Sequence, residues 1–460
     1  MTSAADAATE PGEESRHLRT VKAEIAVLES RWPLPSGSVV YFAADYFYEN
    51  VLIKRTTHRD ERGLDLYGKP IVPEYLADRL RNEAAARQFS RRRQQPNVAP
   101  DIACSVNVEQ FTSGCHHLVL ELAFSDNVYW IVRIPHQALD DGGRISMLSE
   151  MATLKLVREH TTVPVPQVFG FEMSADQPFG YPYVFMEYLG GRALPNGVAE
   201  SVPRQHHAKV AGQLANVFAE LQNVTFSRIG RLWCGEHVDQ PPEIISMAWH
   251  ASPGPLETSF EYFYAQRQSD NRTIMAMHPN DPDWQTACWV LKTSLAHVIV
   301  EDRIRGPFPL CHLDLHFGNM LFDSEFNLTG IIDWSSAQAA PLEQLSVCPE
   351  FVTFPGRSED ENRPIVELKK LVVESLRAME KNQQRRRPPW DDPERSVKEN
   401  KALTPLSTYM ASKSAEITHR HYMASPRGSL WAGKTVAKLV YGKTVTWEQL
   451  REVYGTTPLL

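Results

Sequence analysis

Asp314, Asn319 and Asp333 stand in one stretch of chain whose residue types fit phosphoryl transfer. It reads Cys311-His312-Leu313-Asp314-Leu315-His316-Phe317-Gly318-Asn319 and continues to Gly330-Ile331-Ile332-Asp333-Trp334. Moving a phosphoryl group from a nucleotide needs little covalent help from a protein. It needs a carboxylate at the attacking hydroxyl and oxygen ligands that hold Mg2+ against the phosphates. An H-x-D-x-x-x-x-N run followed by I-I-D-W supplies both, and the turn residues from Asp323 to Asn327 would fold the two runs side by side. The same residues fit a second chemistry. His312, Asp314 and His316 alternate, so on a strand all three would face one side, as in the HxDxH metal site of a hydrolase.

The elements that must position these residues follow two patterns. Upstream, Cys104 to Phe111, Leu118 to Phe124 and Tyr129 to Ile134 are short β-branched or aromatic runs separated by turn residues, which predicts an antiparallel meander. A helix is predicted from Leu148 to His160, with Met151, Leu154 and Val157 inside and Lys155 and Arg158 outside. Val163-Pro164-Val165-Pro166 stops it, and two more strands follow around Gln167–Glu172 and Tyr183–Tyr188. The order βββαββ makes one small α+β unit.

From Pro195 onward the pattern is mainly helical. Val210, Leu214, Val217, Phe218 and Leu221 form one apolar stripe. Asp281-Pro282 reads as an N-cap followed by proline at the first helical position, opening a helix with Trp284, Cys288, Leu291, Leu295 and Val298 on one face. Ile365, Leu368, Val372, Leu376 and Met379 mark another helix, Gln383 to Ser396 is a Pro-rich charged loop, and Thr446 to Gln449 reads as a capping box. Before residue 98 the chain is read as an extension: a flexible tail over 1–17, a short helix over 18–32, an aromatic run over 39–53, and a helix from Pro73 to Arg93. The arginines in Ser90-Arg91-Arg92-Arg93 are expected to form a solvated linker before Pro96.

Composition narrows the class of function. The chain has 460 residues, 42% hydrophobic and 23% charged, which fits a folded globular protein of two to three domains. Its net charge of −8 gives no global basic field, so nucleic-acid binding is not expected. Six cysteines lie far apart without a CxxC pair and are expected to be core residues in a reducing compartment. No apolar run is long enough to span a membrane, and the opening residues are acidic rather than basic, so a cytoplasmic location without membrane attachment is expected.

With these motifs in this order, the chain resembles the fungal-type aminoglycoside phosphotransferase family, a branch of the protein-kinase-like superfamily, over about residues 103–350. The resemblance implies an α+β, bilobal protein-kinase-like fold. The small β-rich N-lobe would cover residues 98–190 and the mainly helical C-lobe 191–460, with residues 1–97 as the extension. It implies ATP and Mg2+ as cofactors and a small hydroxylated molecule as acceptor. By the same resemblance Asp314 would be the catalytic base, and Asn319 and Asp333 the metal ligands. Glu150 would pair with the phosphate-binding cation of the third strand, which here is Arg133 where most kinases use Lys. Gly114, in Thr112-Ser113-Gly114-Cys115, would turn backbone N–H groups toward phosphate. Tyr183-Val-Phe-Met-Glu-Tyr-Leu-Gly-Gly191 is similar to the interlobe hinge, which brings Glu187 and Tyr188 to the nucleotide.

Two departures and two alternatives accompany this reading. Arg133 replaces the usual Lys, and Leu313 stands where the family usually has Gly, a change expected to alter only local packing. His312 is expected to be structural, bonding backbone near Asp333, and His316 to be solvent-exposed. Acidic residues such as Glu343, Glu350, Asp360 and Glu361 are expected in a solvated loop, or around a cationic acceptor. The alternatives are the zinc hydrolase already described, and a kinase-like nucleotide-binding scaffold with weak or no turnover.

Overall fold

The computed structural model describes residues 74–92, 103–113, 117–125, 128–135, 139–177, 179–248, 250–353, 357–386, 403–424, 428–457 and 459. Gly114, the segments 1–73 and 93–102, and most of the 383–396 loop read from sequence lie outside the described residues. In chain order the elements used below are α1 (Glu74–Arg92), β1 (Cys104–Ser113), β2 (His117–Phe124), β3 (Tyr129–Pro135), α2 (Asp141–His160), β4 (Val168–Glu172) and β5 (Tyr183–Glu187). Then come β6 (Arg192–Ala193), α3 (His207–Leu221), α4 (Ser259–Met277), α5 (Pro282–Thr293), β7 (Phe308–Cys311), β8 (Met320–Phe322) and β9 (Leu328–Ile331). The last are β10 (Gln338–Ala339), α6 (Glu359–Arg386), α7 (Lys413–Met423), α8 (Ser429–Tyr441) and α9 (Trp447–Tyr454). The chain divides into two compact units, residues 1–144 with 166–188, and residues 145–165 with 189–460.

The first unit is a five-stranded sheet in the order β1-β2-β3-β5-β4, all neighbours antiparallel. Strand alternation decides which face is core. Trp130, Val132 and Ile134 are buried, while Ile131 and Arg133 between them turn to the other face. Trp130 is wholly enclosed and meets Phe124 edge-on at 4.5 Å and Phe185 at 5.7 Å. Each such ring contributes about 1.5–3 kcal/mol by leaving water.

The helix expected from Pro73 to Arg93 is α1, and it closes this core with Leu80 and Ala84. Arg87 is tied in as well. Its Nε donates to Glu83 Oε1 at 2.8 Å and its Nη2 to the Tyr183 hydroxyl at 2.9 Å. Arg91 corrects the solvated-linker expectation, because the helix runs through Arg92 and the Arg91 guanidinium lies 3.8 Å over the Phe169 ring.

The second unit is mainly helical. Its helix starts follow local rules that the sequence displays. Asp281 Oδ1 accepts from the backbone N–H of Asp283 at 2.9 Å, and Thr258 with Glu261 and Thr446 with Gln449 form reciprocal capping boxes. The stripe of α3 (Val210, Leu214, Val217, Phe218, Leu221) is buried, and Leu368, Val372 and Leu376 of α6, which packs along α3, are buried too. A further cluster gathers Val290 and Leu291 of α5 with Ala432 and Val436 of α8 and Leu450 of α9. Helix α6 continues to Arg386, beyond the predicted loop start at Gln383. The five described cysteines are all buried and free.

Glu343 is a correction to the solvated-loop expectation. It is fully buried, its Oε1 accepts from Val300 N–H at 2.6 Å, and its Oε2 has no partner among the described residues. Burial pushes its carboxyl up to about 7, against the Val300 N–H, with the Asp302 carboxylate raising it further. A folded-state value above the ordinary one means that the neutral acid is favoured in the fold. Its stabilisation is therefore complete below about pH 4.5 and fades as pH rises toward about 7, by roughly 1.4 kcal/mol per unit at most. Glu343→Gln keeps the neutral form at every pH. Urea denaturation should show the variant gaining on the parent between about pH 5 and pH 7, with a constant lead above; parallel pH profiles would refute a buried acid at this position.

Candidate active site

The loop after β7 is built around the peptide group of Ile332. His312, buried, donates from Nε2 to the Ile332 carbonyl at 3.0 Å, and its ring meets Trp334 edge-on at 4.6 Å. Its Nδ1 accepts from the Asp314 N–H at 3.3 Å, so the ring proton sits on Nε2. Burial lowers the imidazole pKa, against the Ile332 carbonyl and the Asp333 and Asp314 carboxylates, and so favours this neutral ring. The structural role read from sequence for His312 is what the geometry provides.

Asp314 and Asn319 meet across the turn that follows. Asn319 Nδ2 donates to the Asp314 carbonyl at 2.9 Å, and Asp314 Oδ2 lies 3.4 Å from the same nitrogen. Asn319 is buried and its Oδ1 has no hydrogen-bond partner among the described residues. Antiparallel pairing of β8 with β9 sets Met320 opposite Ile331, and the Ile332 N–H donates to the Asn319 carbonyl at 3.0 Å. That register brings Asp333 to the same end of the hairpin as Asn319. Asp333 is exposed, has a left-handed backbone (φ 61°, ψ 63°), and accepts at Oδ1 from the Ser335 hydroxyl at 2.7 Å. A buried amide oxygen and an exposed carboxylate at one hairpin end are a donor set that fits Mg2+.

The HxDxH alternative fails on this geometry. Residues 312–316 are not a strand, since the chain turns at Leu313 with φ 58°. His312 gives its Nε2 proton to backbone, so His312, Asp314 and His316 do not face one side as a strand would require. Among the described residues no group of three or more His, Cys, Asp or Glu side chains is arranged to hold a metal ion.

His316 and Glu350 act in this loop in ways that sequence reasoning missed. His316 Nδ1 accepts from the Gly318 N–H at 2.9 Å, which leaves the proton on Nε2, 3.7 Å from Asp314 Oδ2. That separation is longer than a hydrogen bond but close enough for the imidazole dipole to face the carboxylate. A side chain at Gly318 would meet the His316 ring at 2.7 Å, so glycine is required for this contact. Glu350, expected in a solvated loop, is buried and braces the loop from behind. Its Oε1 accepts from Phe317 N–H at 2.9 Å and its Oε2 from Val198 N–H at 2.6 Å. Burial raises its pKa, against those two N–H groups. A His two residues after Asp314 and a Gly two residues later again were visible signals; Glu350 had none, because its partners are far away in sequence.

The remaining predicted residues belong to separate units. Arg133 sits on β3 opposite Val119 and Val184, on the face away from the core, with Nη2 3.3 Å from His117 Nδ1. Glu187 ends β5, accepting from Gln167 N–H at 3.0 Å, and Tyr188 N–H donates to the Tyr129 carbonyl at 3.3 Å. Glu150 is buried on α2, within the second unit. At the end of the stretch 183–191, Gly191 has φ 108° and lies where a Cβ would meet the Phe322 carbonyl oxygen at 2.9 Å, which lets β6 pair with β8.

A family model described as the phosphotransferase enzyme family matches residues 107–344, more than half of the sequence, and the chain belongs to that family. Its fold is accordingly the α+β, protein-kinase-like fold with a small β-rich lobe and a mainly helical one. Among curated proteins, the chain is similar to altered inheritance of mitochondria protein 9, mitochondrial, of Yarrowia lipolytica, with 28% identity over 156 residues, 31% of this chain and 27% of that one. The protein of the same name from Zygosaccharomyces rouxii is 24% identical over 147 residues, 30% of this chain and 24% of that one. The chain thus spans about a quarter of the length of the curated relatives it matches. Similar solved structures include macrolide 2'-phosphotransferase MphH from Brachybacterium faecium, 14% identical with a TM-score of 0.40, covering 79% of this chain and 100% of that one. A thermostable mutant of aminoglycoside phosphotransferase APH(4)-Ia, in ternary complex with AMP-PNP and hygromycin B, has the same identity, TM-score and coverage. The relatives' name puts those proteins in mitochondria, whereas the sequence here suggested the cytoplasm. Among the described residues no helix is long and apolar enough to cross a membrane.

Leu313 corrects the expectation that its replacement of glycine alters only packing. Its φ of 58° is a left-handed conformation that costs a side-chain-bearing residue about 1–2 kcal/mol. Leu313→Gly removes that cost, offset in part by the greater freedom of glycine in the unfolded chain. Leu313→Val, β-branched, should lose at least about 1 kcal/mol, while Leu313→Gly should match or exceed the parent. Urea midpoints at constant m-value measure both, and a more stable valine variant would contradict the left-handed turn.

Proposed function

We propose that the chain is an ATP- and Mg2+-dependent phosphotransferase that moves the γ-phosphoryl group to a hydroxyl of a small molecule. The observation that carries this reading is the hairpin register that gathers Asp314, Asn319 and Asp333 around the Ile332 peptide. Asp314 is the general base, half-exposed and set to take the acceptor's proton. The acceptor oxygen then bonds to the γ-phosphorus as the bond to the bridging oxygen breaks, and ADP leaves. Asn319 Oδ1 and the Asp333 carboxylate would hold Mg2+, which would supply positive charge to the phosphates. Arg133 binds phosphate and pairs with Glu150, Gly114 turns backbone N–H groups to the phosphates, and Glu187 and Tyr188 meet the nucleotide as the hinge. A catalytically weak nucleotide-binding scaffold is the second reading, favoured by Arg133 where most kinases carry Lys.

Nucleotide binding needs no known acceptor to test. MgATP at one hundred times its dissociation constant should stabilise the fold by roughly 2.7 kcal/mol, a rise of about 5–10 °C in melting temperature. Asp333→Asn should lose the Mg2+-dependent part of that shift. Asp314→Asn should keep the shift and lose about 10²–10⁴-fold in turnover on an acceptor. No shift at millimolar MgATP would sink the reading, and a full shift with no turnover on any alcohol would favour the scaffold. For the proposed ion pair, Arg133→Ala and Glu150→Ala should weaken nucleotide binding non-additively; additive effects would show that the pair is not made.

A further inference from the structure

The pleat of β2 decides which of its side chains share a face with Arg133. Leu118 and Leu120 are enclosed, so His117 and Val119 turn to the face that carries Ile131 and Arg133 of β3. The β2–β3 register puts Val119 opposite Arg133 and His117 opposite Pro135, which makes His117 the diagonal neighbour of Arg133. The two half-buried side chains meet there, with His117 Nδ1 3.3 Å from Arg133 Nη2. A guanidinium carries five N–H donors and no acceptor, so Arg133 donates and the imidazole nitrogen accepts. The ring proton in this contact is therefore on Nε2.

Arginine at this position has a geometric demand that lysine lacks. An ammonium is a compact point charge and meets a phosphate oxygen from many directions. A guanidinium grips two oxygens only when its plane and the phosphate line up, and its long stem must be held for that. A bond at Nη2 fixes the plane and uses one of the five donors. His117 also stands three residues past Gly114, whose turn is read from sequence as facing phosphate.

We infer that His117 is a positioning residue for Arg133, holding the guanidinium in the plane in which its fork meets the nucleotide phosphates. This rests on Arg133 being the phosphate-binding cation. His117 acts through Arg133, so its effect depends on which cation occupies that strand position. The departure from the lysine of most kinases is thus matched by a second residue on the neighbouring strand. The pair responds to the polyphosphate and is indifferent to base and ribose.

The test measures binding of MgATP and of adenosine, which lacks phosphate, to the full chain by calorimetry. His117→Phe keeps a ring but removes the acceptor; it should weaken MgATP roughly tenfold and leave adenosine unchanged. His117→Ala should do the same. His117→Asn sets an amide oxygen near the place of Nδ1 and should return to within about threefold of the parent. In an Arg133→Lys background, His117→Phe should alter MgATP affinity less than about twofold, because an ammonium needs no fixed plane. Equal losses in the parent and Arg133→Lys backgrounds would overturn the inference, as would an equal loss of adenosine, since both mark general damage to the sheet. Failure of the underlying reading looks different: Arg133→Ala would then bind MgATP as the parent does. A loss in Arg133→Ala with none in His117→Phe or His117→Ala sinks the positioning role alone.

Discussion

The site depends on one peptide group. Ile332 gives its N–H to the Asn319 carbonyl and its carbonyl to His312 Nε2, both at 3.0 Å. The first bond extends the β8–β9 ladder by one step and so sets Asp333 opposite the end of the turn that carries Asp314. The second ties the start of that turn to the same point. Asp314 is then fixed between two fastened ends, with Asn319 closing the gap across its carbonyl. Removing either bond leaves a buried polar group without a partner, which costs more than the bond itself contributes. Burial of His312 supports the arrangement, since a neutral ring with its proton on Nε2 can donate to Ile332 and accept from Asp314 N–H together.

Tight fastening has a conformational cost at both ends. Leu313 and Asp333 are both left-handed without being glycine, and such residues persist only where their surroundings over-determine them. At Leu313 the carbonyl of His312 and the N–H of Asp314 are both engaged, at 2.8 Å, so the chain cannot relax there. At Asp333 the flanking Ile332 and the Trp334 indole, which donates to the Ile331 carbonyl at 3.0 Å, do the same. The consequence is that both carboxylates emerge from turns with little freedom, the pre-organisation that the proposed roles of base and ion ligand call for.

Sequence reasoning worked where the physical cause is local. The alternation of Trp130, Val132 and Ile134 announces a sheet with one buried face, and Asp281-Pro282 and Thr446 to Gln449 announce helix starts, because each rests on neighbours within a few residues. The H-x-D-x-x-x-x-N and I-I-D-W runs were legible for the same reason, since one hairpin joins them. The failures are long-range. Arg91 looked like part of a solvated linker until Phe169 supplied a ring, and Glu343 and Glu350 looked like loop acids until Val300, Val198 and Phe317 supplied N–H groups. Leu313 shows a third kind of limit, because a side chain says little about a backbone angle imposed by hydrogen bonds on either side. Helix α4 was passed over because polar residues interrupt its apolar face, and Phe260 on it remains 45% exposed.

The acids around the loop divide by environment rather than by type. Glu350 is buried and takes two backbone N–H groups, so its charge is matched by fixed dipoles and is not available to a ligand. Asp314 and Asp333 are open to solvent; among the described residues Ser335 donates to Asp333, while Asp314 has the His316 imidazole at 3.7 Å and the long contact from Asn319 at 3.4 Å. An exposed carboxylate keeps its hydration, while a buried one with a single N–H donor and one oxygen unpaired among the described residues is pushed toward the neutral acid, as Glu343 is. The brace and the two open carboxylates therefore cannot exchange places. Moving the paired acid outward would lose the loop's anchor, and moving Asp314 or Asp333 inward would penalise its charged form by desolvation, the charge on which the proposed phosphoryl transfer rests.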